Sequence, residues 1–474
     1  MALSWNLSMG PMTGKNLNNY LTLLGQTFSK MLTFLLKSTI DILKSEERRK
    51  RAMRKGILVL VTIALAVTMV GMDCAKVDSA EPIIIGAPIP RASTYGQNCE
   101  RSMILATEEI NAAGGIKLGG VMRPVKLEIV DTRDQEPGVP TSEVLLAMEK
   151  LVLDKGAKIL AGGPCMSEVC LAAMDLYPKY KVLGLVSVGC WTPGWHKKSG
   201  KNIDQYRYAF KPSGHVVYWV KDIVQLLKQI KDQYGFSKMY ITVAEAAHCK
   251  ASAAAVKKGA TAFGWTVVGE EVHPLATTDF SMMLRDVKKS GAQVLFIWDH
   301  TPESLTMIKQ WHDYKVPAAA IGFVGPTDDP DMWNQTRGKV AYLVEWGGEG
   351  GTLPDQQITP LTKPFFNAYK KRWGVEPRGC GNVPSYSVMY LIKDAIERAG
   401  TMDVEALIPT IEQTDMITPG GRLRFDKATH QAIYGDDPKE TLLGQQLQWQ
   451  NGKRVSIWPP KIATGAYQLP PWMK

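Results

Sequence analysis

Between residues 81 and 345, short apolar runs alternate with segments of helical period. Ile83-Ile-Ile-Gly-Ala87 is apolar without a polar alternate, the pattern of a strand covered on both faces. Asn98–Ala113 repeats its apolar residues at helical spacing and stops at Gly114-Gly115, a helix C-terminal signal. Strands follow at Val125–Val130, Lys158–Ala161 and Val182–Val188, with helices at Thr141–Leu153 and Glu168–Tyr177 between them. The succession then starts again. Helices are expected at Gly214–Tyr234, Ala251–Phe263, Phe280–Ser290 and Pro302–Tyr314, and strands at Met239–Val243, Val267–Val272, Val294–Trp298 and Ala320–Val324. Repeated β-α units predict parallel sheets covered by helices, and two such runs predict two similar α/β lobes.

Past residue 345 the order changes. Gly347-Gly348-Glu349-Gly350-Gly351 reads as a loop, and Pro360–Trp373 and Ser385–Ala399 as helices. A strand is expected after the Gly420-Gly421 turn. Gln445–Gln450 and Lys453–Trp458 flank Asn451-Gly452, the residue pair that suits a type I′ hairpin turn.

The N-terminal region has another pattern. Gly56–Gly71 is a continuous apolar stretch of 16 residues, short of the roughly 20 that a spanning helix needs. Arg51, Arg54 and Lys55 precede it, and Ser79 and Ala80 stand at its exit. A basic region, a short apolar region and small residues describe a secretory signal peptide over 53–80. An uncleaved membrane anchor is the alternative. Met53-Arg-Lys-Gly56 reads as a natural start, so residues 1–52 are expected to be a start-site extension; the other reading is an amphipathic helix around Leu21–Leu43.

Charge follows the same division. The chain of 474 residues has 56 Lys+Arg against 46 Asp+Glu, a formal net charge of +10. Residues 1–80 hold 11 of those cations and 5 of the anions, so six of the ten net charges sit there. The remainder is only mildly basic, and its cations are interspersed with Asp and Glu on amphipathic helices. No basic stripe interleaved with aromatics stands out, so nucleic acid is not expected as a partner. Seven Cys are too few for a disulfide scaffold. Cys165 and Cys170 read as a disulfide or as buried inert thiols.

The usual catalytic signatures are missing. The sequence has no Gly-x-x-x-x-Gly-Lys-Ser/Thr loop, no Gly-x-Ser-x-Gly elbow and no His-Glu-x-x-His helix. His248-Cys249 is an adjacent pair, not spaced like a zinc site. No cofactor and no metal are expected. In open α/β sheets, ligands bind beyond the carboxyl ends of the strands. The loops there are Pro90–Gly96, Gly162–Ser167, Val188–Trp191, Ala244–Cys249, Trp298–Thr301 and Gly325–Asp328. The first helical turn after Gly162-Gly163-Pro164 offers free backbone N–H groups, which suit a carboxylate.

From about Glu81 to the C-terminus the chain resembles the type I periplasmic binding proteins of ABC importers, within the branched-chain amino acid (leucine/isoleucine/valine-binding) group. The segments that carry the resemblance are Ile83–Pro90 with Tyr95-Gly96, Ala106–Ile116, Leu127–Asp131, Gly322–Pro326 and Gly421–Asp426. It implies two Rossmann-like lobes with parallel sheets, joined by a three-stranded hinge, that close on a ligand. The lobes are expected at 81–212 plus 346–425 and at 213–345 plus 426–474. The resemblance further implies a monomer in the periplasm, delivering a small-molecule ligand to the permease and ATPase subunits of an importer.

Family positions carry over unevenly. Tyr95 falls at a cleft tyrosine, and Ser167, beside Glu168, at the loop that holds the ligand carboxylate. At the Val188-Gly189-Cys190 turn, Cys190 replaces a Thr that helps hold an ammonium. His215 stands where an Asp begins the second lobe, and Thr327, next to Asp328, where a Glu is usual. Two cleft tyrosines appear as Cys249 and His300, and Trp191 and Trp298 add aromatic surface. A buried ammonium needs compensating charge. The expected ligand therefore lacks an α-ammonium: a small organic or aromatic acid or an amide, unless Asp328 replaces the lost Glu. The competing readings are a ligand-sensing module of a signalling system and an enzyme using Cys249 and His300.

Overall fold

The computed structural model describes residues 25–26, 29–37 and 81–474. Residues 29–37 are helical and exposed, within the stretch for which an N-terminal helix was the alternative. The expected signal segment 53–80, with Cys74, lies outside the described residues. Among the described residues no helix is long and apolar enough to cross a membrane.

The described residues 81–474 form one compact unit. Its first sheet contains β1 (Ile83–Ile89), β2 (Val125–Asp131), β3 (Ile159–Gly162), β4 (Leu183–Val186) and β5 (Ala209–Phe210). The spatial order is β2-β1-β3-β4-β5, and every pairing is parallel. β1 occupies an inner position, which is why Ile83, Ile85, Ala87 and Ile89 are all buried. Helices α1 (Thr94–Ala112), α2 (Thr141–Leu153) and α3 (Ser167–Tyr180) connect these strands.

The second sheet holds the parallel strands β6 (Lys238–Ala244), β7 (Thr266–His273), β8 (Val294–Asp299), β9 (Ala319–Val324) and β10 (Val344–Glu349) in the order β10-β9-β8-β6-β7. Its connecting helices are α4 (Val216–Tyr234), which enters from the first sheet, α5 (Ala247–Ala262), α6 (Ser281–Ser290) and α7 (Ser304–Asp313). α4 shows how the pattern becomes packing. Trp219, Ile223, Leu226, Leu227 and Ile230 recur at helical spacing and are all buried. Gly235 ends the helix in the left-handed region, its N–H bonded to Lys231 O. Each such aliphatic side chain contributes about 1.5–3 kcal/mol by leaving water.

β10 corrects the expected loop over 347–349, while Gly350 and Gly351 stay outside the strand. β10 pairs antiparallel with β11 (Leu442–Gln450) through Val344, Glu345, Trp346 and Glu349, and Gly347 and Gly348 form the bulge between Trp346 and Glu349. A Cβ on Gly347 would lie 2.4 Å from Leu447 Cγ, so the close approach of the two strands requires glycine there. β11 continues through Asn451 and Gly452, both at positive φ, into β12 (Lys453–Trp458), the expected hairpin. Helix α8 (Thr362–Trp373) and helix α9 (Asn382–Ala399) lie between β10 and β11 in sequence. α9 packs on the first sheet's core through Val388, Leu391, Ile392, Ala395 and Ile396. The expected strand after Gly420 is Gly421–Leu423, paired with Met416–Thr418.

Candidate functional site

The carboxyl ends of both sheets' strands converge on one cleft. A cavity opens there, between the loops at those strand ends. Tyr95, Ser167, Glu168, Cys190, Trp191 and His300 line it, as do Gln135, Cys165, Met166, Gly189 and His248. These walls are mostly apolar, and the chain supplies them from six separate loops.

Tyr95 stands in the first turn of α1, which Ser93 caps by accepting the Gly96 N–H at 3.0 Å. Its ring packs edge-on against Trp191 at 5.5 Å between centroids. Burial holds the Tyr95 phenol well above its ordinary pKa, helped by the nearby Asp328 carboxylate, so it faces the cleft as a neutral O–H.

The loop before α3 is organised from another element. Asp134, after β2, accepts from the N–H groups of Cys165 at 2.8 Å and Met166 at 2.7 Å. Its other oxygen takes the Thr132 hydroxyl at 2.5 Å. The donors left for an anion are therefore one step further on, at Ser167 and Glu168. No side chain caps α3, so its first turn remains open to the cavity. Glu168 itself is exposed.

The turn after β4 needs its glycine. Gly189 has φ +69°, and a Cβ there would lie 2.1 Å from Cys165 O. Cys190 follows at φ +57° and donates its N–H to Cys165 O at 2.9 Å. Beneath the turn, the fully buried Lys211 ammonium donates to Gly189 O and the Ser213 hydroxyl, both at 2.8 Å. Trp191 then leaves the first sheet and enters the second sheet's aromatic cluster. Its ring is edge-on to Trp219 at 4.8 Å, Trp346 at 5.7 Å and Phe323 at 5.9 Å. Trp298 extends that cluster beyond Phe323.

The second sheet contributes two histidines and a thiol. His248 and Cys249 open α5, and His300 follows β8. The fully buried Cys249 Sγ lies 3.3 Å from His248 Nε2 and 3.8 Å from His300 Nδ1. Burial pushes the His248 pKa down to about 4 and lowers that of His300, so both imidazoles are neutral near pH 7. Burial pushes the Cys249 thiol up, with Asp299 adding to it, so it stays protonated.

Five of the candidate residues lie outside the cavity lining. Val188 is buried against Gly381. His215 is the N-cap of α4: Nδ1 accepts from Val217 N–H at 3.1 Å, and Nε2 lies 2.8 Å from Thr192 O. Thr327 gives its hydroxyl to the buried Glu345 carboxyl at 2.5 Å. Asp328 is buried behind Tyr95, near Arg378 and Arg454, and burial raises its pKa to about 6. Cys249 is fully buried against the lining residues His248 and His300. Gln135 and Asp134 are not among the sequence-derived candidates, although they lie beyond the carboxyl end of β2, where strand-end loops hold ligands. Cys165, Cys170 and the other four described cysteines are buried free thiols.

The comparisons agree with this geometry. The family model described as "Periplasmic binding protein" matches residues 82–435. The Leu/Ile/Val-binding protein homolog 7 of Brucella suis biovar 1 is 22% identical over 430 residues, covering 87% of this chain and 99% of its own length. A Silicibacter pomeroyi structure, provisionally described as a branched-chain amino acid ABC transporter, superposes with a TM-score of 0.73 at 21% identity. The match covers 83% of this chain and all of that one. A solute-binding protein of an ABC transporter from Rhodopseudomonas palustris BisB5, solved with 3,4-dihydroxybenzoic acid, gives 0.62 at 18% identity, covering 79% and 95%. With two α/β sheets facing one cleft and a family match over most of its length, this chain belongs to the type I periplasmic binding proteins.

Proposed function

We propose that this chain is the extracytoplasmic solute-binding subunit of an ABC importer and that its solute is a small aromatic or organic acid. The carrying observation is the composition of the cleft wall. Tyr95 and Trp191 supply aromatic surface, while Asp328 and Thr327, at the positions that would balance an ammonium, are turned into the protein. A carboxylate has donors in the open first turn of α3 and in the Ser167 hydroxyl. The 3,4-dihydroxybenzoic acid bound by the Rhodopseudomonas palustris relative is a ligand of this class. The two sheets, with lobes at 81–212 plus 346–425 and 213–345 plus 426–474, would close on it by a hinge motion. The closed monomer would then dock on a permease driven by ATPase subunits, in the periplasm.

A second reading is an α-amino acid, as the name of the Brucella relative indicates for that protein. The observation in its favour is Glu168, a carboxylate on the cavity wall that could face an ammonium. A thermal-shift screen of benzoates, other organic acids and branched-chain amino acids separates the two. A ligand at ~100 times its Kd adds about 2.7 kcal/mol of stability. The strongest shift should come from an aromatic acid; a stronger one from leucine or valine overturns the assignment of ligand class.

A further inference from the structure

We propose that His248, Cys249 and His300 form a three-donor site for a soft or borderline transition-metal ion of the Zn(II) or Cu(I) class, with one coordination position open to the cleft. Neither the family match nor the solute-binding reading assigns such a site. The proposal does not need that reading to be right.

The donor geometry carries it. A tetrahedral ion with a metal–sulfur bond of about 2.3 Å and metal–nitrogen bonds of about 2.0–2.1 Å holds sulfur and nitrogen about 3.5 Å apart. Here the two S···N separations are 3.3 and 3.8 Å, one on each side of that value. All three donor atoms lie within 4.8 Å of one another, and rotation of the two imidazoles must bring their nitrogens to about 3.4 Å for both to reach one tetrahedral ion. The two nitrogens come from different strand-end loops, 52 residues apart in sequence, so only the parallel pairing of β6 with β8 brings them to one thiol.

The donors are also free to bind. Among the described residues, the imidazoles of His248 and His300 make no hydrogen bond except to the Cys249 thiol. Metal binding would displace the thiol proton of Cys249. The buried Asp299 carboxyl, next to His300, is held by His273 Nε2 at 2.9 Å and Thr301 N–H at 2.7 Å. One thiolate with two imidazoles selects a soft or borderline ion over Mg(II) or Ca(II). Because His248 and His300 line the cavity while Cys249 is fully buried outside its lining, the remaining position would face the cleft, where water or a solute oxygen completes the tetrahedron.

The test uses the purified protein without a histidine tag, stripped by a chelator and kept reduced. Zn(II) is titrated in competition with a chromophoric chelator, and Co(II) serves as the optical probe. The expected result is one Zn(II) per chain and a near-ultraviolet thiolate-to-Co(II) band. Cys249→Ala, His248→Gln and His300→Gln should each weaken Zn(II) binding more than about 100-fold, beyond what loss of an outer-sphere partner does. His312→Gln, far from the cleft on α7, should bind as the unsubstituted protein does. Circular dichroism identifies the folded variants. Absence of stoichiometric binding by the unsubstituted protein overturns the proposal, and so does a Co(II)–thiolate band that survives in Cys249→Ala. The titration contains no solute and the solute screen contains no metal, so failure of one leaves the other standing.

Discussion

Trp191 is the side chain by which the first sheet's cleft loop grips the second sheet. It makes four edge-on ring contacts, at 4.8–5.9 Å, with Tyr95, Trp219, Phe323 and Trp346. Three of those partners belong to the second sheet or its entering helix. Aromatic pairs of this geometry contribute about 0.5–1.5 kcal/mol each beyond their area, so four set a floor of about 2 kcal/mol. Complete burial of a Trp would set the cost of truncation at about 3–5 kcal/mol, and Trp191 is only partly buried. Trp191→Ala should therefore lose about 2–4 kcal/mol. If the contacts with Trp219, Phe323 and Trp346 form only on closure, that loss falls on the closed state. The best solute from the screen should then bind at least about 30-fold more weakly, since 1.4 kcal/mol is tenfold. Trp191→Phe should recover part of the loss because a smaller ring keeps some of the edge contacts. Calorimetry gives the affinity, and small-angle scattering with and without solute gives the compaction. Unchanged affinity together with unchanged compaction in a folded Trp191→Ala protein refutes the reasoning.

Two further outcomes follow from single hydrogen-bond assignments. His215 is buried, and its folded pKa, mainly through that burial, falls to about 3, below its unfolded value of about 6.5. The neutral ring is favoured in the fold, so its contribution is present above pH 6.5 and is lost as pH falls toward 3, by up to about 1.4 kcal/mol per unit. His215→Asn keeps a cap acceptor and cannot be protonated, so its stability relative to the unsubstituted protein should improve on acidification; urea midpoints measured from pH 7 to 4 check this. Asp134→Ala removes the acceptor for two N–H groups, each charge-assisted bond contributing about 1.5–3 kcal/mol. It should lower the melting temperature and weaken solute binding together, because the loop before α3 loses its anchor; affinity unchanged in calorimetry would separate that loop from the solute.

What the sequence determined is whatever local periodicity encodes. The two runs of β-α units, the helix stops at glycine and the Asn451-Gly452 hairpin depend on neighbours within a few residues, so apolar spacing and turn chemistry suffice to read them. The strand-end loops are equally legible, because parallel topology fixes which end of a sheet faces a ligand. The use of each loop residue was decided by partners far away in sequence. Glu345 takes the Thr327 hydroxyl, and the Thr192 carbonyl engages His215, so both residues leave the cleft. Asp134 occupies the N–H groups of Cys165 and Met166 and moves the open donors to Ser167 and Glu168. Trp346 and its neighbouring glycines became a strand because β11 offered a ladder. The resemblance already placed Cys249 and His300 in one cleft, and only the pairing of β6 with β8 brought His248 and His300 to the same thiol. Hydrogen bonds and donor clusters act over a few ångströms in space, and one-dimensional spacing carries no measure of that distance.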